Sequence, residues 1–259
     1  MNDNGKSALG IIGVGQLGEF MVRGLRNGRW PGKIVLSPRN AERVAALART
    51  FECSIAAGNQ AVVDQADIVM LAVRPEQVPD TLAGIKLRSE QTLLSVAAGL
   101  PLARLQALLP TGQNVIRALP MSSAEFGASP TMMYPADAAV EALFNHTGQS
   151  IVLARESDFD IGTPIACASI WLLDLYGTLA ESCQQAGMGA QQARSLVYGM
   201  AESAVRVARH NSKRSARAIA AEIAWEGSFT RLGLNYLSER DGLGVWQQAC
   251  EMLTQRLQK

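Results

Sequence analysis

Three glycines are spaced as Gly13-Val14-Gly15-Gln16-Leu17-Gly18, between an apolar run at 8–14 and a stretch of helical periodicity at 17–27. A G-x-G-x-x-G gains meaning from this strand–turn–helix setting. Gly13 permits the tight turn, Gly15 lets a phosphate approach the backbone, and Gly18 lets the helix lie close to the strand. The helix start adds amide donors and a partial positive charge, so the segment is suited to cradling a pyrophosphate.

The end of a second strand, at 33–36, decides which dinucleotide would fit. An Asp or Glu there binds free ribose hydroxyls. This chain carries Ser37-Pro38-Arg39-Asn40 instead. No carboxylate repels a 2′-phosphate, and Arg39 can pair with one through charge-assisted bonds. NADP(H) is the expected cofactor, against the alternative that Arg39 is a solvated residue preceding a helix.

Two more segments follow strands, at the carboxyl edge where open α/β sheets bind ligands. They are Ala72-Val73-Arg74-Pro75 and Ser95-Val96-Ala97-Ala98-Gly99. Their small residues would leave room for a nicotinamide ring, although tight turns alone would also explain them. The expected cofactor residues are therefore Gly13, Gly15, Gln16, Leu17, Gly18, Ser37, Arg39, Ala72, Val73, Arg74, Pro75, Ala97, Ala98 and Gly99. Whether Arg74 meets cofactor or solvent stays open.

Other chemistries lack their residues. The two histidines, His146 and His210, and the four cysteines, Cys53, Cys167, Cys183 and Cys250, show no ligand spacing, so no metal site is expected. The cysteines are read as small buried hydrophobes in a reducing compartment. A formal net charge of +1 offers no basic field for nucleic acid or an anionic membrane, which leaves a small-molecule partner. With 48% hydrophobic and 18% charged residues, the chain can bury a sizeable core. Its first residues lack the basic region, apolar stretch and cleavage site of a signal peptide, so a cytoplasmic location is expected. Residues 161–180 are about long enough to span a bilayer and carry Asp174 as their sole charge. Interrupting Ser, Thr, Gly and Pro favour a helix buried in a bundle or dimer over a membrane span.

These residues must be positioned by alternating elements. Strands are predicted at 8–14, 33–36, around Ile55, and at 68–73, 92–96, 115–118 and 131–134. Helices are predicted at 17–27, 41–50, 61–64, 78–83 and 101–108, the last with Pro101 at its start. Such alternation means βαβ units and a mostly parallel sheet. After about Ser150 only helical periodicity remains, with Arg155-Glu156-Ser157-Asp158 as the expected hinge. The fold class expected is α/β: a Rossmann-type doubly wound parallel sheet over 1–154 and an all-helical substrate and dimerisation domain over 155–259.

Taken together the motifs resemble the pyrroline-5-carboxylate reductases, which read A-V-K-P, S-x-A-A-G and R-V-M-P-N-T-P in this order. The matching segments are Ala72-Val73-Arg74-Pro75, Ser95 to Gly99, and Arg117-Ala118-Leu119-Pro120-Met121-Ser122-Ser123. The likeness spans the chain, strongly to about residue 125 and loosely beyond. There, Phe159-Asp160 opens what resembles the family's interdomain helix, and Ala186-Gly187-Met188 its M-G-L turn. Trp225-Glu226-Gly227-Ser228-Phe229-Thr230 stands where the family has S-P-G-G-T-T. Asp241-Gly242-Leu243 resembles its G-F-R. The resemblance implies a homodimer through intertwined C-terminal helices, with rings of dimers in many members. The S-G-S-G-P-A-Y segment is replaced by Ala166-Cys167-Ala168-Ser169-Ile170-Trp171-Leu172, and the asparagine of R-V-M-P-N by Met121. In the family the S-P-G-G-T-T loop holds the substrate carboxylate and its last threonine lies near the imine nitrogen. That assigns Thr230 to the imine, with Ser228 and Ser122 as further polar candidates; Ser228 could equally cap the next helix.

The implied reaction is hydride transfer from NADPH to a C=N bond of a cyclic imine, pyrroline-5-carboxylate to proline first. It needs positioning of two reactants more than acid–base side chains, in keeping with the lack of an evident dyad. The β-hydroxyacid dehydrogenases share the layout but call for a lysine on the interdomain helix, and none lies between Lys86 and Lys213. A reductase exchanging hydride between NADP and a deazaflavin fits the N-terminal half and not the long helical half. A different imine substrate, or a dinucleotide-binding sensor without turnover, remains compatible with the altered loop.

Overall fold

The computed structural model describes residues 7–258. The reading of the N-terminus as free of a signal peptide rests partly on the first six residues, which lie outside that range.

The first half alternates strand and helix. It runs β1 (Leu9–Ile12), α1 (Gln16–Asn27), β2 (Ile34–Leu36), α2 (Ala41–Phe51), β3 (Ser54–Ile55), α3 (Asn59–Val63) and β4 (Ile68–Leu71). It continues with a 3₁₀ turn (Pro75–Gln77), α4 (Val78–Ala83), β5 (Thr92–Ser95), α5 (Leu102–Gln106) and β6 (Asn114–Leu119). A second 3₁₀ turn (Ser122–Phe126) leads to β7 (Ser129–Tyr134), α6 (Ala138–Asn145) and β8 (Gly148–Val152). The sheet order is β3-β2-β1-β4-β5-β6-β7-β8. Every neighbouring pair is parallel except β6 with β7. Strand order reverses direction at β1, the position where a doubly wound sheet opens its crevice.

Both faces of the sheet are covered at β1, β2, β4 and β5, so these central strands are buried throughout, without alternation. Leu9 and Ile11 pack with Met21 and Leu25 of α1 on one face. Ile12, Val69, Leu71 and Leu93 pack with Val62, Val78 and Leu105 on the other. Each such fully buried side chain stabilises the fold by about 1.5–3 kcal/mol. Gly10 lets α3 come close: a Cβ there would lie 2.6 Å from Val62 Cγ1.

Register aligns the motifs. Ile11 pairs with Leu36, Ile12 with Leu71, Leu71 with Ser95, and Ser95 with Arg117. The glycine turn, Ser37, Ala72 and the Val96–Gly99 loop therefore leave the sheet at one carboxyl edge.

Predicted and observed strands agree to within one or two residues through β6. Pro101 caps α5 instead of opening it, with φ −66° and ψ 152°. Sequence periodicity did not reveal α6 or β8. α6 is capped by Asp137, whose carboxylate accepts from the Ala139 and Val140 amides at 3.0 Å. β8 reads Gly-Gln-Ser-Ile-Val and is largely exposed at the sheet edge, so it lacks the apolar run that marks the central strands.

The chain divides into two compact units between Phe159 and Asp160. The second unit is helical among the described residues. Its elements are α7 (Asp158–Gln185, its first turn in the first unit), α8 (Ala190–His210), α9 (Ala216–Ile223), α10 (Phe229–Glu239) and α11 (Gly244–Leu257). α7 meets α8 through Ala180, Ala193 and Val197, with Tyr176 and Cys183 packed beside them. It meets α11 through an edge-on Trp171–Trp246 pair, centroids 6.1 Å apart.

The expectation of a buried 161–180 helix is not met by the single chain: Ile161, Ile165, Ile170 and Leu173 of α7 are exposed. By length and composition alone α7 could cross a membrane. The cysteines depart from expectation too. All four are free, and only Cys53 is buried. Burial pushes its thiol pKa up, against the lowering influence of Arg26. Cys167 is exposed because it lies on the uncovered length of α7.

Candidate cofactor and substrate sites

The glycine turn shows a distinct spatial reason for each glycine. Gly13 has φ +93°, and a Cβ there would sit 2.6 Å from Val73 Cγ1 and 2.8 Å from the Ala72 carbonyl. β1 and β4 thus approach at a point that only glycine allows. Gly18 is buried on α1, where a Cβ would lie 3.1 Å from the Gly13 oxygen. A Cβ on Gly15 would meet nothing within 4 Å. The space above Gly15 is open, as close approach of a phosphate requires. Gln16 and Leu17 begin α1 immediately beyond it.

Ser37 is buried, and its hydroxyl accepts the Gly13 N–H at 3.1 Å. It reaches the cleft through Gly13. Arg39 is exposed and has no ion pair among the described residues. It lines a cleft with Gly13, Val14, Gly15, Ala72, Val73, Arg74 and Gln77. Asn40, in the left-handed conformation at φ 68°, turns the chain into α2, a conformation asparagine tolerates. Arg74 also has no ion pair among the described residues, so two arginines without an ion-pair partner line one cleft. Gln77, which sequence reasoning missed, accepts from the Arg74 amide at 3.4 Å. Its place follows from the 3₁₀ turn that Pro75 opens. Ala97, two residues beyond β5, is buried, while Ala98 and Gly99 are exposed. Gly99 has φ +72°.

The substrate candidates occupy different units. In the first, Ser122 opens the 3₁₀ turn and is exposed. The turn is set by the Met121 amide donating to Ser129 Oγ at 2.9 Å. In the second, Ser228 is the N-cap of α10. Its hydroxyl donates to the Trp225 carbonyl at 2.7 Å and accepts from the Arg231 amide at 3.1 Å. The capping alternative for Ser228 thus describes its observed bonds. Thr230 sits in the first turn of α10, exposed. Trp225 and Phe229 beside it are 66% and 94% exposed, large apolar groups that their own unit leaves mostly uncovered.

The residues of the expected hinge bond within the first unit. The Glu156 carboxylate pairs with Arg117 and accepts from the Leu102 amide at 2.6 Å. The Arg117 guanidinium lies 4.6 Å from the centroid of the Phe159 ring. Arg155 bonds Asp158 at 3.0 Å.

Residues 8–99 match the family described as NADP oxidoreductase coenzyme F420-dependent. That match ends at Gly99, so it concerns the half that holds the glycine turn. The pyrroline-5-carboxylate reductase of Mycobacterium tuberculosis is 29% identical over 213 residues, 76% of this chain and 70% of that protein. The chain is similar to the pyrroline-5-carboxylate reductases. The structure of the 1-pyrroline-5-carboxylate reductase from Streptococcus pyogenes has a TM-score of 0.84 at 23% identity, covering 97% of this chain and 98% of that one. A Plasmodium falciparum pyrroline carboxylate reductase with NADP bound has a TM-score of 0.83 at 19% identity, covering 97% of each chain. The Rossmann-type sheet followed by a helical half is thus shared with these reductases along nearly the whole length.

Proposed function

We propose that this chain is an NADPH-dependent oxidoreductase that reduces the C=N bond of a cyclic imine, with pyrroline-5-carboxylate, giving proline, as its first substrate. The observation that carries this is the cleft above Gly15, open to a pyrophosphate and lined by Arg39, which has no ion pair among the described residues. Gly13, Gly15 and the amides of Gln16, Leu17 and Gly18 would hold the pyrophosphate. Ser37 would act by fixing Gly13, and Arg39 would take the 2′-phosphate. Ala72 to Pro75, with Ala97, Ala98 and Gly99, would border the rest of the dinucleotide. NADPH supplies the hydride. An imine carbon is electrophilic once its nitrogen is protonated, so the protein's task is to hold two reactants in line. Thr230 is the residue assigned to the imine nitrogen, and Ser122 is a secondary candidate. Ser228 serves α10 first.

A homodimer through the helices of the second unit belongs to the same reading. It is supported by Ile161, Ile165, Ile170 and Leu173, which one chain leaves uncovered. The Asp, Ser, Thr and Pro residues along α7 favour a protein partner over lipid. Sedimentation of the purified protein tests this; a soluble monomer would reject it. A soluble, cytoplasmic enzyme follows from this reading.

The decisive experiment follows NADPH oxidation with pyrroline-5-carboxylate, piperideine carboxylates and carboxylate-free cyclic imines. Turnover of the first supports proline formation. Turnover of another imine alone would assign the redirection to Met121, Glu226 and Phe229. NADPH binding without any turnover would favour a sensor, a reading to which the departures from S-P-G-G-T-T lend weight.

A further inference from the structure

The sheet's carboxyl edge contains one charged arrangement that the cofactor reading leaves unused. β5 ends at Ser95, and the chain runs through Ala97, Ala98 and Gly99 to Pro101 before α5 begins. Ser95 is buried and its hydroxyl has no hydrogen-bond partner. The side chain at this end of the loop therefore contributes no bond that would hold the loop in place. At the other end, the amide of Leu102 donates to Glu156 Oε1 at 2.6 Å. The same oxygen pairs with Arg117 Nη1, and Arg117 is the residue in register with Ser95 on β6. The Arg117 side chain is only 12% exposed, and the Phe159 ring covers it from the first turn of α7.

We propose that Glu156 is a positioning residue for the Ala97–Gly99 loop. Its carboxylate joins β6, the start of α5 and the segment entering α7, and so fixes where that loop stands at the sheet edge. This rests on the reading of the loop as a border of the nicotinamide half of NADPH. Ion pairs that only stabilise a fold are common, but this one has a particular geometry. A single oxygen is shared between a mostly buried guanidinium and the amide that ends the loop. Removing one partner of such a pair leaves the other charge uncompensated, and the loop loses its side-chain anchor. Hydride transfer is sensitive to placement: a shift of about 1 Å can lower the rate on the order of a hundredfold.

The test compares wild-type protein with Glu156→Ala, Glu156→Gln and Glu156→Asp. Glu156→Gln keeps an acceptor for Leu102 and loses the charge that Arg117 faces. Three quantities are read: affinity for NADPH, affinity for 2′-phospho-ADP-ribose, which lacks the nicotinamide, and kcat with the imine that the wild-type protein reduces. The expected result for Glu156→Ala is weaker NADPH binding and a kcat lowered by about tenfold or more, with 2′-phospho-ADP-ribose binding unchanged. Glu156→Gln should fall between it and wild type, and Glu156→Asp should recover part of the loss. Equal weakening for both ligands, or no change in either, would overturn the positioning role. Because Glu156→Gln retains one of the two bonds, it carries the same comparison should Glu156→Ala fail to fold. A wild-type protein that binds neither ligand would instead overturn the cofactor reading itself.

Discussion

The amide of Gly13 donates to the hydroxyl of Ser37 at 3.1 Å, joining the end of β1 to the residue that follows β2. Ser37 is in turn fixed by its own amide, which donates to the Ile11 carbonyl at 3.0 Å. The bend at Gly13, φ +93°, is therefore held from the neighbouring strand, and the glycine turn depends on a side chain that is itself buried. Ser37→Ala would strand the Gly13 N–H, with an expected loss of about 1–2 kcal/mol in stability. Thermal unfolding should show this drop together with weaker protection by NADPH. An unchanged melting temperature would mean that the bond is dispensable.

The glycines of the turn should separate by their surroundings. Gly15→Ala introduces a Cβ into open space, so folding should be almost unaffected while NADPH affinity falls. Gly13→Ala forces a positive φ on alanine, about 1–2 kcal/mol, and overlaps Val73 and Ala72, typically about 1–3 kcal/mol more. It should lose stability and binding together. Calorimetry on both variants decides, and a Gly15→Ala protein with wild-type affinity would empty the cleft of its assigned pyrophosphate.

Arg39 tests the choice of dinucleotide. Its guanidinium has no carboxylate among the described residues, so its removal frees no buried charge. Arg39→Ala should therefore leave stability intact and weaken NADPH by about 1.5–3 kcal/mol, the worth of charge-assisted bonds. NADH affinity should hardly move. Equal losses for the two cofactors, measured by fluorescence titration, would remove Arg39 from the 2′-phosphate.

The first half was legible because local pattern and fold agree there. An apolar strand, a G-x-G-x-x-G and a helix with buried Met21 and Leu25 point the same way, and register brings Ser37, Ala72 and Val96 to one edge. The missed elements lack such a pattern. β8 is polar and peripheral, and the 3₁₀ turn that places Gln77 is too short to show a period. The Arg117–Glu156 pair was invisible for another reason. It joins residues far apart in sequence, and only folding shows that both meet the amide of Leu102. In the second half, periodicity predicts helices, while Ile161, Ile165, Ile170 and Leu173 of α7 stay exposed in the single chain.

Ser228 and Thr230 stand two positions apart at the start of α10 and should respond oppositely. Ser228 spends its hydroxyl on the Trp225 carbonyl and the Arg231 amide. Ser228→Ala should cost about 1 kcal/mol of stability, as the loss of an N-cap does, with kcat close to wild type. The Thr230 side chain is exposed in the first turn, so Thr230→Ala should leave the melting temperature and NADPH affinity in place. If its hydroxyl meets the imine nitrogen, kcat should fall on the order of a hundredfold, as when one hydrogen bond to the reacting atoms is removed. Steady-state kinetics and melting curves on the two variants decide. Undiminished turnover in Thr230→Ala would remove Thr230 from the site, and a kcat loss confined to Ser228→Ala would reassign the contact to the capping serine.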